Sequence, residues 1–190
     1  GFLLYGMTML YGSTGTMFFP EISASIMSGE ANSAYLMFGA ALMIMGLSFK
    51  SSAFPFHQWA PDVYSGAPTV VVSFMSTAGK AAALSAFIII AKTLIPAGFD
   101  PSGLESAINS DKLITAIAVI SALTMLVGNI TALVQKNVKR MLAYSSVAHA
   151  GYMLMGIVAN TAAGWSALMF YAVVYTFMQI GAFIIVGMLE

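Results

Sequence analysis

The sequence predicts an all-α fold, a polytopic bundle of transmembrane helices, and three observations carry that prediction. Of its 190 residues 59% are hydrophobic and only 7% charged, where a soluble domain carries roughly 25% charged residues. The charges are also unevenly spread, because residues 1–20, 31–49, 113–135 and 141–189 hold none. Runs such as Ala116 to Leu126 lack the strict in-and-out alternation that a membrane β-barrel strand shows over roughly ten residues.

A hydrocarbon core of about 30 Å takes about 20 apolar residues per helix, which gives six spans, at about 1–19, 34–56, 69–95, 112–135, 140–159 and 165–189. A polar, small-residue loop with Glu21 and Glu30 separates the first two, from Pro20 to Ser33. The second span approaches its end at Lys50, Ser51 and Ser52, and the connection Pro55 to Pro68 gathers His57, Trp59, Pro61, Asp62 and Tyr64. After the third span, Pro96 to Asp111 forms a loop with Asp100, Pro101, Gly103 and Glu105 as turn and capping residues. The fourth leads into Gln135 to Arg140, the basic cluster of the chain. The 49 uncharged residues from Met141 to Leu189 must hold two spans, with the turn at Asn160, Thr161 and Gly164.

Alternation of the spans puts 20–33, 96–111 and 160–164 at one end of the bundle, and 57–67, 136–140 and Glu190 at the other. Lys136, Lys139 and Arg140 fall in the second group, so the positive-inside rule turns that end toward the cytoplasm or its organellar equivalent. The chain opens at Gly1 within an apolar run, without a basic flank and cleavage site, and reads as a fragment of a longer protein.

Composition excludes several functions. The net charge is zero and no basic patch exceeds three residues, so a nucleic-acid partner has no electrostatic basis; the implied surroundings are membrane lipid. With no cysteine, disulfides, thiolate metal sites and iron–sulfur clusters are excluded from this chain. No nucleophile–base pair and no glycine-rich phosphate loop is evident, and His57 and His149 are too few for a metal site.

The chemistry lies in polar residues inside the spans. A lysine at a helix centre costs about 2.5–3.5 kcal/mol on insertion scales, and Lys50 and Lys80 both interrupt apolar stretches. Either snorkels to the interface or serves an ion path. Ser73, Ser76 and Thr77 precede Lys80 by seven, four and three residues, so in a regular helix their hydroxyls share its face. Gly79 beside Lys80 weakens the helix and favours a local break. The fifth span carries Ser145, Ser146, His149 and Tyr152 on one face, and the sixth Tyr171, Tyr175 and Gln179 at four-residue intervals. His149 suits proton transfer near neutral pH, and equally a structural hydrogen bond. Ser121, Thr124, Gly128 and Thr131 on the fourth span suit close helix packing. Together these rows suggest a hydrated proton or cation path.

The string PFHQWAPDVYSGAP at 55–68, preceded by Phe49 and Lys50 and followed by Lys80 thirty residues after Lys50, resembles the antiporter-like N subunits of respiratory complex I. In chloroplasts and cyanobacteria the counterpart is called subunit 2. GFLLYGMTMLYGSTG at 1–15, NVKRMLAYSSVAHAGYM at 137–153 and YTFMQIGAF at 175–183 agree with it. The resemblance implies helices six to eleven of a fourteen-helix fold with two inverted repeats, each holding a discontinuous helix. It also implies that Lys50 pairs with a glutamate of an upstream helix, that Lys80 is a central lysine, and that His149 and its serines belong to a hydrophilic axis. The upstream glutamate and a downstream lysine lie outside this chain.

The implied function is proton translocation in an NADH:quinone oxidoreductase, driven at a distance by quinone reduction. Partners are the other membrane subunits. No cofactor is expected in this chain, since NAD, FMN, iron–sulfur clusters and quinone belong to others, and the expected location is a bacterial inner membrane or an organellar energy-transducing one. Opening the Lys50 ion pair would change its proton affinity and, through a low-dielectric interior, that of Lys80 in turn. The rival reading is a subunit of a multi-subunit sodium/proton antiporter of the same superfamily, and a third is a purely structural membrane subunit. For the 57–66 segment two readings stand: a proton entrance near Lys50 with Asp62 as a relay, or a helix break with Trp59 and Tyr64 as interfacial anchors.

Overall fold

The computed structural model describes residues 1–95 and 110–189, with the side chains of 110 and 111 set aside. Among these residues the chain is helical, with no strand. The helices are α1 (Phe2–Thr14), α2 (Phe19–Ser28), α3 (Ser33–Ser51), α4 (Trp59–Gly66), α5 (Thr69–Phe74), α6 (Lys80–Leu94), α7 (Ser110–Leu133), α8 (Val138–Val158) and α9 (Ala162–Leu189), with a π-helical turn at Met75–Gly79 joining α5 to α6. Among the described residues five stretches are long and apolar enough to cross a membrane: Ser33–Ser51, Thr69–Leu94, Lys112–Leu133, Val138–Val158 and Ala162–Leu189. The expected loop 96–111 lies outside the described residues apart from the start of α7.

The helix expected at 1–19 ends at Thr14, where Gly15 caps it in the left-handed conformation (φ 72°) that a residue with a Cβ resists. The expected loop 20–33 is largely helical. Pro20 sits in the first turn of α2, where its missing N–H costs nothing, and the Glu21 carboxylate accepts from Thr16 Oγ1. The connection 55–68 holds α4, one more element that turn residues concealed.

Contacts divide the molecule into two compact units. The first comprises Gly1–Leu47 and the described part of Ala86–Ala116. In it α1 packs on α3 with Leu10, Leu36, Ala40 and Met43 buried, and Ser13 Oγ donates to the Asn32 carbonyl at 2.8 Å.

The second unit, Ser48–Ser85 with Ile117–Glu190 (described to 189), carries the chemistry. Tyr64, Val72, Ala143 and Phe183 form a core cluster. Of the two readings of 57–66, the helix break with interfacial anchors does not hold for Tyr64, which is 1% exposed with its ring edge-on to Phe183 at 6.2 Å. Along α7 and α8 the backbones approach closely, so that a Cβ on Gly128 would lie 2.5 Å from Ala148 N. Ser121 Oγ donates to the Gly151 carbonyl at 2.7 Å, and Thr124 Oγ1 accepts from Phe54 N at 2.9 Å. These are the packing roles expected for the small residues of the fourth span.

Helix α9 shows the inside-out pattern of a membrane element. Phe170, Val173, Val174, Phe177 and Ile184 are exposed, while Tyr175 and Gln179 are buried with Leu168 and Phe183. In a membrane element polar groups must find their partners within the protein, which is the side they take here.

Candidate functional site

Lys80 is the centre of the site. It begins α6 and is 2% exposed. Its ammonium donates to both the carbonyl oxygen and the hydroxyl of Ser146 on α8, and among the described residues no carboxylate pairs with it. The same ammonium lies 6.0 Å from the centroid of the Tyr175 ring, within the range at which the ring quadrupole attracts a cation.

The π-helical turn explains how Lys80 reaches α8. A wide turn inserts one residue into the helical count, which rotates all that follows by about 100° at 3.6 residues per turn. Ser73 and Thr77, expected on the lysine's face, therefore line a different surface. They border a largely apolar groove of about 460 Å³ against Ile180, Phe183 and Ile184 of α9. The hydroxyls of Ser76 and Thr77 donate to the Ser73 carbonyl at 2.9 and 2.8 Å. The lysine is held across the bundle, and the hydroxyl row along its own helix does not hold it.

His149 also lies against Tyr175. Its ring sits 5.0 Å from the Tyr175 ring, 5.9 Å from Tyr171 and 5.6 Å from Tyr152, the last edge-on at 88°. Nδ1 is 2.7 Å from the Tyr171 hydroxyl, and the Tyr152 hydroxyl accepts from Asn129 Nδ2 at 2.7 Å. Tyr175 is thus near both a buried amine and an imidazole. One turn on, Gln179 is 2% exposed and its Nε2 has no hydrogen-bond partner among the described residues. Ser145 is half-buried and takes no part in the contacts around Lys80.

Lys50 is not part of this constellation. It occupies the last turn of α3 with its side chain exposed, and no described contact joins it to Lys80. Around it, Ser48, Ser51, Ser52 and His57 are buried. His57 stacks on Phe54 at 5.8 Å and meets Tyr144 at 6.5 Å; burial pushes its imidazole below the ordinary 6.5. Asp62 forms an ion pair with Arg140 at 2.9 Å, tying α4 to the first turn of α8. That pair brings together the two connections that alternation puts at one end. Trp59 stacks on Phe49 and donates from Nε1 to its carbonyl at 2.9 Å.

Among the described residues no three His, Asp or Glu side chains come together as metal ligands would. The site can do one kind of chemistry, the handling of protons or small cations by an amine, an imidazole and hydroxyls. Sequence reasoning put Tyr152 on one face with His149 but left Tyr171 in a separate row, and it missed Asn129 and the Arg140–Asp62 pair. The signal for Tyr171 was present, as a tyrosine on the helix following the histidine's own.

Comparison with known proteins gives the family. The family described as "NADH:quinone oxidoreductase/Mrp antiporter, TM" matches residues 1–190. NADH-quinone oxidoreductase subunit N 1 of Chloroherpeton thalassium is 47% identical over 190 residues, covering 100% of this chain and 38% of the relative. Subunit N of Salinibacter ruber is 45% identical, covering 100% and 36%. A chain of respiratory complex I from Thermus thermophilus with bound aureothin superposes with a TM-score of 0.74 at 36% identity, over 98% of this chain and 36% of that one. The chain thus spans less than two fifths of the length of the relatives it matches. With five apolar helices of spanning length and bacterial relatives, it is an integral inner-membrane protein. A match that runs from the first residue to the last means that the chain belongs to the NADH:quinone oxidoreductase/Mrp antiporter transmembrane family.

Proposed function

We propose that the chain is the proton-handling part of an N-type membrane subunit of an NADH:quinone oxidoreductase, with Lys80 and His149 as its proton carriers. The observation that carries this is the Lys80 ammonium, buried at a helix start and held by Ser146 without a carboxylate among the described residues. Such a group is expensive inside a membrane, and a lysine required only for packing would be replaced by an apolar residue at a gain.

Protons reach Lys80, pass the polar faces of α8 and α9 at Ser146, Tyr175 and Gln179, and are exchanged at His149. Ser73, Ser76 and Thr77 support the π-helical turn that aims the lysine, and Ser145 flanks the path. Lys50 acts through a carboxylate supplied from outside this chain, which fits its exposed position at the end of α3. The driving step is quinone reduction in neighbouring membrane subunits. The redox groups, namely NAD, FMN, iron–sulfur clusters and quinone, sit in other chains of the complex, so this chain contributes translocation to the enzyme and no electron transfer.

The test is Lys80→Met in the whole enzyme, with proton translocation into vesicles measured beside quinone reduction. Pumping is expected to fall several-fold; pumping at the wild-type ratio sinks the reading. The sodium/proton antiporter alternative predicts sodium-dependent transport without quinone turnover. The N-subunit names of the relatives at 45% and 47% identity weigh against it.

A further inference from the structure

The surroundings of His149 define more than a histidine in a polar row. Its ring is boxed on three sides by Tyr152, Tyr171 and Tyr175, with ring centroids at 5.6, 5.9 and 5.0 Å. One wall is itself fixed, since Asn129 Nδ2 donates to the Tyr152 hydroxyl at 2.7 Å. Only one ring nitrogen has a hydrogen-bond partner among the described residues, Nδ1, at 2.7 Å from the Tyr171 hydroxyl.

The charged ring fixes the sense of that bond. When the ring is protonated both nitrogens are donors, so in the charged form Nδ1–H donates to the Tyr171 oxygen. If the neutral form keeps the same sense, the Nδ1 proton never moves. A proton then binds to the Nε2 lone pair and leaves from Nε2, and nothing at Tyr171 has to reverse. A carboxylate in place of Tyr171 would bind the charged ring too strongly for release. A phenol oxygen accepts without a full charge, and which ring nitrogen carries the proton is set by the hydrogen bond the other one makes.

We propose that Tyr171 is a positioning residue for proton exchange at His149: its hydroxyl oxygen accepts from Nδ1–H, holds the ring within its tyrosine box, and fixes the tautomer that leaves Nε2 as the proton-accepting end. The proposal rests on the proton path described above and deepens it. It assigns to Tyr171, at the edge of the cluster, a function that acts wholly through His149.

The test uses the assembled enzyme in vesicles, with protons translocated per quinone reduced counted per assembled complex. Tyr171→Phe keeps the ring and removes the oxygen. The expected result is a fall of at least twofold in that ratio, with uncoupled quinone reduction preserved. In a His149→Ala background the same change is expected to add nothing. In infrared spectra of the complex, the band lost on His149→Ala should report the Nδ1–H tautomer in the parent and a mixture in Tyr171→Phe, a change that packing alone would not produce. A wild-type ratio in Tyr171→Phe overturns the proposal, as does an equal loss with and without His149. Wild-type pumping in His149→Ala overturns it together with the role of His149, whereas the reading of Lys80 stands or falls separately on Lys80→Met.

Discussion

Lys80 and Ser146, 66 positions apart in sequence, meet through two hydrogen bonds from one ammonium, to the carbonyl and to the hydroxyl of the same residue. A main-chain carbonyl cannot be removed by a side-chain substitution, so the lysine keeps one acceptor whatever stands at position 146.

Ser146→Ala should accordingly be milder than Lys80→Met. Hydrogen bonds to charged groups are worth about 1.5–3 kcal/mol, and half of the Lys80 anchorage survives the change. Pumping is expected to drop by less than in Lys80→Met, with a measurable fall in the thermal midpoint of the solubilised complex. Equal losses in the two variants would mean that the hydroxyl, and not the anchorage, is what matters.

Gly128→Leu tests the α7–α8 seam. A Cβ at this position would stand 2.5 Å from Ala148 N, and the obstacle is backbone, which cannot swing aside. Overpacking of this kind costs about 1–3 kcal/mol or more, so the variant should assemble poorly and melt earlier. A midpoint unchanged from wild type would contradict the close approach.

The Arg140–Asp62 pair is half-exposed on one side and well exposed on the other. Exposed pairs contribute about 0.2–1 kcal/mol, so Asp62→Asn should cost little stability and less still at high salt. The exchanged pair Asp62→Arg with Arg140→Asp should recover whatever either single change loses. A large loss of pumping in Asp62→Asn, with stability intact, would instead make Asp62 a relay.

His57 supplies a pH dependence. Burial depresses its folded-state value below 6.5, so the unfolded chain binds the proton more readily. Stability is then full above about pH 6.5 and declines as the pH falls from there toward the folded value. His57→Gln should flatten that acid-side decline in a thermal-melt series. An identical decline in the variant would remove His57 as its source.

How much of this was legible in the sequence depended on whether the signal was local. The apolar periods of α3, α7, α8 and α9 come from composition alone, and lysine in an apolar run marks Lys80 without any partner being known. The small residues Ser121, Thr124 and Gly128 announced a close seam because only small residues permit one. What stayed hidden was set by tertiary geometry. The hydroxyl row before Lys80 was read on the assumption of a regular helix, and the wide turn at Met75–Gly79 breaks that assumption. Tyr64 looked like an anchor because it follows two prolines within a polar stretch, yet α4 turns it onto Phe183. Helix α2 was hidden by a proline and a glutamate that read as loop residues, although both are favourable in a first helical turn.

The π-helical turn makes the direction of Lys80 a matter of phase. Downstream of Gly79 the helix runs one residue out of step with the helix upstream, so the side chains of α5 and α6 belong to two separate registers. Regularising the turn to α-helical geometry at its present length would bring the registers back together and swing the lysine by about 100°, away from Ser146 and onto the side shared with Ser73. The identity of residue 80 is thus only half of the specification. The other half is the width of the turn that precedes it, and a turn closed to α-helical geometry at the same length would disconnect the lysine while leaving every chemical group of the site in the chain.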